Sequence, residues 1–340
     1  MAKRYRLDKA GLAGFVEKLA GQGFKVVAPA KHGDGLVFNE VFDPAEADAE
    51  LGHTAYSAKK FFIPRMQLML EYELEGGREI REVAFHAPKR IFLGMRSCDL
   101  HALKISDEFM LGGIPDPHYK ELRENSVIFA LSCKKPPTKF CHCDSLGFRD
   151  PPNNWDALMN DEGDFYLLEA GTAKGEEILA KSELAETSQE PGKERDPCPL
   201  AIHNTNLKDL QEWWNNEVWE KEAERCLSCG ACTLACPTCW CFDVEDENEV
   251  GLKKTKRVSN WDSCQFKEFG RIAGDYCFRR DRVQRVRHRI MHKFPYSIEK
   301  FGRPSCTGCG RCLPVCLVDI SHIHILNKLA REKPAPYSQK

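Results

Sequence analysis

The chain has 340 residues, 42% of them hydrophobic, and a formal net charge of −2 at pH 7. This length is typical of about two domains, and the charge excludes a polyelectrolyte that binds nucleic acid through net charge alone. The 17 cysteines are an odd number, which would leave one unpaired in a disulfide framework, and small disulfide scaffolds are denser in cysteine, at roughly 8–10%.

The N-terminus is basic, but no uninterrupted apolar stretch follows it, so no signal peptide is predicted. No run of about eighteen apolar residues occurs, and no membrane-spanning helix is predicted. We therefore expect a cytoplasmic, soluble protein with reduced cysteines.

Residues 1–200 are predicted to form an α/β domain. Asp8 is placed to cap a helix, and four apolar residues of this helix recur at helical spacing: Leu12, Phe15, Val16 and Leu19. Short apolar runs bounded by Gly, Pro and Asp predict six strands: Lys25–Ala28, Leu36–Phe38, Val83–Phe85, Ile91–Leu93, Val127–Leu131 and Phe165–Glu169. A helical pattern between the fourth and fifth runs indicates a β–α–β unit and a parallel sheet. A short helix is expected near Gly175–Lys181.

The second part of the chain begins after a segment rich in Ser, Glu, Gly and Pro at 182–200, which predicts a linker or exposed loop. A connecting helix is expected within 201–225, with Leu207, Leu210, Trp214 and Val218 on one face. A cysteine-rich region follows at 226–325, and 326–340 is expected to be a tail.

Eight cysteines of this region repeat one pattern twice. The copies are Cys226-x-x-Cys229-x-x-Cys232-x-x-x-Cys236 and Cys306-x-x-Cys309-x-x-Cys312-x-x-x-Cys316. In two-cluster ferredoxins the first three cysteines of such a run ligate one 4Fe–4S cluster, and the fourth ligates the other cluster. The pattern therefore assigns Cys226, Cys229, Cys232 and Cys316 to cluster 1, and Cys306, Cys309, Cys312 and Cys236 to cluster 2.

Structural zinc is the alternative for these cysteines, but zinc sites use four ligands as two separated pairs. Here three closely spaced cysteines are followed by a fourth, and this arrangement occurs twice, which favours iron–sulfur clusters. The predicted fold is thus an α/β N-terminal domain followed by an α+β two-cluster ferredoxin-like domain with a helical insert at 242–300.

A second cysteine group consists of Cys98, Cys133, Cys141 and Cys143. Cys98 and Cys133 each follow a predicted strand, and both strands would lie in one parallel sheet, so both cysteines should emerge at its carboxyl edge. The Cys141-His142-Cys143 loop lies within easy reach. We predict a third 4Fe–4S cluster here, with zinc or free thiols as alternatives, and we interpret His142 as a neighbour, not a ligand.

The remaining cysteines give weaker signals. Cys198 and Cys277 are interpreted as buried packing residues, because free cysteine often behaves as a small hydrophobe. Cys239, Cys241 and Cys264 remain open between packing, a role beside the clusters and a redox role.

The insert also contains a helix candidate at Arg271–His292 that is rich in arginine. Such a run is typical of a solvated face, and it would also offset the negative charge of thiolate-ligated clusters or meet an acidic partner. Binding of nucleic acid is the alternative interpretation.

Signals of other cofactors are absent from the sequence. It has no G-x-G-x-x-G after a predicted strand, no G-x-x-x-x-G-K-[ST] phosphate loop and no H-E-x-x-H motif. The sequence therefore predicts an electron carrier with no catalytic residues of its own.

Several stretches together resemble the β subunit of soluble hydrogenase/sulfur reductase (sulfhydrogenase) and the related A subunit of anaerobic sulfite reductase. They are Lys59–Pro64 (KKFFIP), Gly94–Leu100 (GMRSCDL), Cys141–Cys143 (CHC), Cys236–Asp243 (CPTCWCFD), Trp261–Cys264 (WDSC) and His292–Tyr296 (HKFPY). The resemblance covers most of the chain.

The resemblance implies a cytoplasmic iron–sulfur subunit of a larger complex. Its neighbour would be a flavin subunit of ferredoxin-reductase type that binds NAD(P)H and FAD. The other end would be a nickel–iron hydrogenase, a sirohaem sulfite reductase or a heterodisulfide-reductase-like module. Two alternatives stay open: a cysteine-rich zinc module that binds nucleic acid or a regulator, and a self-contained enzyme acting on a sulfur substrate.

Overall fold

The computed structural model describes residues 3–73, 80–251 and 253–332. Their β-strands, in chain order, are Arg4–Asp8 (β1), Lys25–His32 (β2), Gly35–Glu40 (β3), Met66–Glu73 (β4), Ile80–Glu82 (β5), Arg90–Arg96 (β6), Ser126–Leu131 (β7), Ala157–Asp161 (β8), Phe165–Ala170 (β9), Ala185–Thr187 (β10), Phe242–Asn248 (β11) and Lys254–Trp261 (β12). Their α-helices are Leu12–Gly21 (α1), Ser97–Met110 (α2), Pro117–Glu124 (α3), Ala173–Ala180 (α4), Val218–Arg225 (α5), Ala231–Leu234 (α6), Arg282–Lys293 (α7), Pro295–Phe301 (α8) and His322–Leu329 (α9).

The larger sheet has the strand order β10-β1-β9-β8-β7-β6-β2-β3. Its centre is parallel, since β2 pairs with β6, β6 with β7 and β7 with β8 in the same direction. The helix α2 lies between β6 and β7 in the chain, which confirms the predicted β–α–β unit. Buried apolar side chains cover both faces of this sheet, with Phe15 and Leu19 of α1 in one core cluster and Leu100 and Leu103 of α2 in another.

Three details of this part differ from the prediction. The run Val83–Phe85 is not a strand; β5 ends at Glu82, one residue before it. Asp8 makes no capping hydrogen bond through its side chain, and a short 3-10 turn, Lys9–Gly11, precedes α1 instead. The prediction also omitted β1 and β8, which join the sheet beside β9, and β10, which lies within the segment 182–200 predicted as a linker and pairs with β1.

The smaller sheet has the order β11-β12-β4-β5, and its pairs are antiparallel. The insert is therefore not purely helical as predicted, since it begins with the hairpin β11–β12. The physical reason is that all seven residues of β11 are exposed, so this acidic strand lacks the alternation of apolar and polar residues that marks a half-buried strand. The hairpin packs its second strand against β4, far earlier in the chain.

The helices of the C-terminal part also differ from the predicted ranges. The connecting helix is broken, because a 3-10 helix at Leu207–Trp213 ends before α5 and the Asn216 side chain accepts a hydrogen bond from the Val218 N–H (2.9 Å). The arginine-rich helix begins only at Arg282, after an Asp281 capping box. The predicted tail at 326 starts inside α9, whose Leu326 and Leu329 are fully buried.

Within the described ranges, no helix combines the length and the apolar character needed to cross a bilayer.

Candidate metal centres

The first cysteine loop begins where α5 ends. Cys226, Cys229 and Cys232 line a cavity together with Cys316, which is the grouping predicted for cluster 1. Two backbone N–H groups point at these sulfurs, from Ser228 to Cys226 Sγ (3.4 Å) and from Ile320 to Cys316 Sγ (3.2 Å). Hydrogen bonds to the ligand sulfurs are one of the factors that set iron–sulfur potentials.

The second cysteine loop forms an adjacent cavity. Cys306, Cys309 and Cys312 line it together with Cys236, the grouping predicted for cluster 2. Arg289 lines both cavities, so the two cysteine sets lie next to each other.

One thiol of each loop, Cys232 and Cys312, lies in a desolvated environment. Burial raises the pKa of Cys232 to about 11 and also raises the pKa of Cys312, and the Arg289 cation opposes both effects. A hydrogen bond with Cys239 lowers the pKa of Cys236. Buried thiolates need cations or metal ions to compensate their charge. Each of the two cavities is lined by four thiols, which is the donor set of a 4Fe–4S cluster.

The third cysteine group also converges on one cavity. Cys98, in the first turn of α2, and Cys133, two residues past β7, lie at the carboxyl ends of neighbouring parallel strands, and Cys141 and Cys143 join them. This is the convergence that the parallel sheet predicted. Burial raises the pKa of Cys98 well above its usual value, so this thiol also lies where a bound metal would stabilise its thiolate.

A fifth cysteine, Cys198, lines the same cavity. The sequence interpretation of Cys198 as a packing residue did not predict this position. Cys198 Sγ lies 3.6 Å from Cys143 Sγ and accepts a hydrogen bond from Arg149 Nη1 (3.4 Å). One sequence signal was available, because Cys198 stands between Pro197 and Pro199 in an otherwise polar segment. A cysteine in an exposed, proline-flanked loop is a poor packing residue.

The second cysteine loop packs closely against the segment Phe140–Cys143 at two glycines, next to the boundary between the second and third cavities. A Cβ at Gly308 would lie 2.4 Å from the Cys143 Cα, and one at Gly310 would lie 2.5 Å from the Phe140 carbonyl oxygen. Both glycines have φ near +70°, which side-chain-bearing residues rarely adopt. The His142 N–H donates to the Gly308 carbonyl (3.0 Å), and Cys309 lines both cavities.

His142 points toward the second cavity. Its Nε2 lies 3.1 Å from His322 Nε2, and Cys306 Sγ is 3.7 Å from each of these nitrogens. Burial lowers the pKa of both imidazoles, which keeps them neutral. His142, Cys306 and His322 thus bring their ligand atoms within 4.8 Å of one another, close enough to hold a metal ion, so the interpretation of His142 as a neighbour and not a ligand stays a prediction.

The arginine-rich helix α7 directs its side chains at the first cysteine loop. Arg282 donates to the Cys226 carbonyl (2.9 Å), and Arg285 donates to Ser228 Oγ (3.1 Å). Arg287 donates to the Trp214 carbonyl (2.8 Å) and stacks on its ring at 3.8 Å. The contacts of Arg282 and Arg285 fix the loop and supply positive charge near its thiols, whereas Arg287 holds the segment before α5.

Two buried lysines hold the segment around Cys236. Lys59 donates to the carbonyls of Cys239 (3.0 Å) and Leu234 (3.4 Å), and Lys293 donates to the carbonyl and hydroxyl of Thr238 (2.6 and 2.7 Å). Both lysines belong to stretches that carried the family resemblance, and sequence reasoning gave them no role.

The other cysteines separate into two cases. Cys277 donates to the Lys267 carbonyl (3.3 Å) and lines none of the cysteine cavities described above. Cys239, Cys241 and Cys264 line a further cavity that adjoins the second one.

Comparison with known proteins agrees with this geometry. A family model described as a 4Fe-4S dicluster domain matches residues 225–320, which contain all eight cysteines of the first two cavities. The chain is therefore an iron–sulfur protein whose residues 225–320 match a 4Fe-4S dicluster domain.

The whole chain has a more specific relative. It is 31% identical over 316 residues to sulfhydrogenase 2 subunit beta of Pyrococcus furiosus, which covers 90% of this chain and 92% of the relative. The chain belongs to the sulfhydrogenase β-subunit family, as the sequence motifs predicted. No solved structure matches it significantly.

Proposed function

We propose that this chain is the electron-transfer subunit of a cytoplasmic multisubunit oxidoreductase. It relays electrons between a flavin subunit that binds NAD(P)H and FAD and a catalytic module. That module is a nickel–iron hydrogenase, a sulfite or sulfur reductase, or a heterodisulfide-reductase-like assembly.

One observation carries the proposal: the three cysteine-lined cavities are neighbours, and each shares a lining residue with the next. Cys309 borders the third and second cavities, and Arg289 borders the second and first. A row of adjacent sites across both parts of the chain is what a relay requires. An isolated structural metal would need only one of them.

The proposed ligands are those predicted from the sequence, by spacing for clusters 1 and 2 and by strand topology for cluster 3. Cluster 1 takes Cys226, Cys229, Cys232 and Cys316, cluster 2 takes Cys306, Cys309, Cys312 and Cys236, and cluster 3 takes Cys98, Cys133, Cys141 and Cys143. When bound, such a cluster accepts and releases electrons at a potential set by its surroundings. The chain contributes the cations Arg289, Arg149 and Lys293 and the N–H donors that tune and orient the sulfurs.

The third site is supported by the same donor chemistry. Five thiols surround one cavity, and Arg96 and Arg149 donate to Cys133 Sγ and Cys198 Sγ at 3.4 Å each. Iron analysis tests its occupancy, because three 4Fe–4S clusters contain about twelve irons per chain and two contain about eight. The Cys98, Cys133, Cys141 and Cys143 quadruple Ala variant should lose four irons, and an unchanged iron count would remove cluster 3 from the proposal.

The choice of partners rests on family membership and on what this chain lacks. The relative's name makes it one subunit of a sulfhydrogenase. This sequence contains no dinucleotide or phosphate-loop fingerprint, so a separate flavin subunit would have to supply the reaction with NAD(P)H.

Anaerobic reduction of the purified chain tests the function. NAD(P)H should bleach the cluster absorbance only after a catalytic amount of the flavoprotein partner is added, and the partner alone should show no such bleaching. Rapid bleaching by NAD(P)H in the absence of flavin and partner would contradict the proposal, and so would colourless protein with stoichiometric zinc.

A further inference from the structure

A cavity of about 470 Å³ adjoins the second cysteine loop. Its size is within the range of small-molecule sites. Its walls come from the segment after Cys236, from Cys264 and from the helices α7 and α8. Trp240 stacks on Phe109 at 4.7 Å and donates from its indole nitrogen to Ser106 (3.0 Å), which fixes one wall against α2.

The charged side chains that line this cavity are cationic. Arg289, Lys293 and Lys300 line it, and none of the described residues that line it is acidic. Lys293 is buried and held by Thr238, whereas Lys300 lies exposed, 5.5 Å from the Phe109 ring centroid. The cavity therefore favours an anion, and its aromatic residues favour an organic part in that anion.

Three thiols face this cationic space. Cys241 and Cys264 both line it, and the Asp262 N–H donates to the Cys241 carbonyl (2.8 Å), which holds the segment of Cys264 beside Cys241. Cys239 lines it as well, and its N–H donates to the carbonyl of Cys236, the proposed ligand of cluster 2 (3.4 Å). The pair Cys241–Cys264 therefore lies in the cavity wall, while a third thiol connects the same cavity to the proposed electron relay.

The two thiols of the pair differ in acidity. The hydrogen bond from Cys264 lowers the pKa of Cys241 to about 7, and Lys293 acts in the same direction, while burial and Asp262 oppose it. The same contact raises the pKa of Cys264. One ready nucleophile beside one protonated thiol is the arrangement that thiol–disulfide exchange requires.

We propose that Cys241 and Cys264 form a redox-active dithiol, and that the adjoining cavity binds a small carboxylate-bearing organic disulfide as its substrate. The cations hold the carboxylates and the aromatic walls hold the organic part. The S–S bond then lies against the thiol pair.

The reaction is a two-step exchange. The Cys241 thiolate attacks one sulfur of R–S–S–R, which forms a Cys241–S–S–R bond and releases R–S⁻. Cys264 then attacks the Cys241 sulfur, which forms the Cys241–Cys264 disulfide and releases the second R–S⁻, and the Cys264 proton ends on one of the released thiolates. Two electrons thus pass from the protein dithiol to the substrate.

Return of the pair to its dithiol form takes two electrons and one proton, giving the Cys241 thiolate and the Cys264 thiol. This return step rests on the proposed function, because the iron–sulfur centres of the chain are the electron donor. The exchange itself does not depend on them.

The test uses anaerobically purified holoprotein and two reagents of similar length and opposite charge. These are 3,3′-dithiodipropionate, a dianion, and cystamine, a dication. Remaining thiols are alkylated, and the Cys241–Cys264 disulfide is measured by mass spectrometry. Each rate is divided by the rate of the same reagent with dithiothreitol, which removes the difference in intrinsic reactivity.

We expect dithiodipropionate to form the disulfide at least about tenfold faster than cystamine after this correction, because the cavity concentrates anions. The Lys300→Gln substitution at the cavity edge should reduce this preference, and Lys18→Gln on the distant helix α1 should not. Cys264→Ser should trap the mixed disulfide on Cys241, whereas Cys277→Ser should leave the reaction of the pair unchanged.

Three results would overturn the proposal. The first is the absence of a Cys241–Cys264 disulfide in the wild-type holoprotein, and the second is equal corrected rates for the two reagents. The third is a loss of iron in the Cys241→Ser/Cys264→Ser double variant, which would make these residues metal ligands. Failure of the proposed function looks different, because NAD(P)H and the flavoprotein would then not bleach the clusters while the exchange with dithiodipropionate continued.

Discussion

Arg311 and Asp99 form a bidentate ion pair in the interior of the protein. Arg311 Nη1 donates to Asp99 Oδ1 (2.7 Å) and Nη2 donates to Oδ2 (3.0 Å), and both side chains are almost completely buried. Arg311 lies between Cys309 and Cys312, and Asp99 follows Cys98. The pair therefore fixes the second cysteine loop against the helix that carries the third cysteine site.

Removal of the carboxylate should destabilise the protein strongly. Asp99→Asn leaves a buried guanidinium without its counter-charge, a loss of about 3–5 kcal/mol in comparable buried pairs. Urea-induced unfolding of the holoprotein under anaerobic conditions measures it. The matched control is Asp246→Asn, since the Asp246–Arg257 pair is exposed and such pairs contribute little. Equal losses of unfolding free energy in the two variants would show that the buried pair stabilises the protein no more than the exposed pair does.

The crossing of the two cysteine motifs predicts a selective loss. Cys316 lines the cavity of Cys226, Cys229 and Cys232, so Cys316→Ala should degrade cluster 1 and leave cluster 2 more intact. Electron paramagnetic resonance of the reduced protein separates the two signals, with Cys277→Ala as the control. Loss of the Cys306–Cys312 cluster instead would show that each motif closes on itself.

The contact between Cys143 and Cys198 predicts redundancy at one corner of the third site. Because their sulfurs lie 3.6 Å apart, either thiol can reach the same ligand position after a small movement. Cys143→Ser and Cys198→Ser should each retain most of the iron of this site, and the double variant should lose it. Complete loss in the Cys143→Ser variant, with none in Cys198→Ser, would restrict the ligand to Cys143.

Arg289 should raise the reduction potentials of the two clusters whose cavities it lines, because reduction adds negative charge next to its guanidinium. The sign follows from the charge alone, since a nearby cation stabilises the more negative, reduced cluster. Arg289→Gln should therefore lower both midpoint potentials in an anaerobic titration, and Arg289→Lys should lower them less. Unchanged potentials in the Gln variant would mean that solvent screens this charge.

Acid should weaken the C-terminal part through His288. Burial and the nearby Arg279 lower its pKa to about 4, below the value of about 6.5 in an unfolded chain. The unfolded state therefore binds the proton more readily, so this contribution to stability is complete above about pH 6.5 and is lost as the pH falls toward 4. His288→Gln should flatten the dependence of the unfolding midpoint on pH in this window. A parallel dependence in wild type and variant would exclude His288.

The cysteine sites were largely predictable because metal ligation demands short, fixed spacings that a sequence displays directly. The pairing of Cys236 and Cys316 with the opposite triplets followed from that spacing, and the meeting of Cys98 with Cys133 followed from two parallel strands. Cys198 was missed because its approach depends on a long loop with no periodic signal. The thiol pair Cys241–Cys264 was left open for the same reason, since its contact depends on folding of the insert.

The fold was less predictable where polar strands form edges. The strand β11 carries no apolar stripe, and β4 was omitted although it pairs with β12 over seven residues. Long-range pairing of this kind is decided by the partner strand and not by local propensity. The helix α7 began later than predicted because the residues before Asp281 are held in turns by their own contacts.

The pairing of β4 with β12 limits how this protein can be divided. The region that matches the dicluster model begins at residue 225, but β12 has β11 on one side and β4, from residues 66–73, on the other. A shortened chain that starts at Arg225 would keep all eight ferredoxin-type cysteines and still expose the unpaired N–H and C=O groups of β12 along one edge. Such open edges recruit strands from other molecules, so this fragment should aggregate instead of behaving as a free ferredoxin.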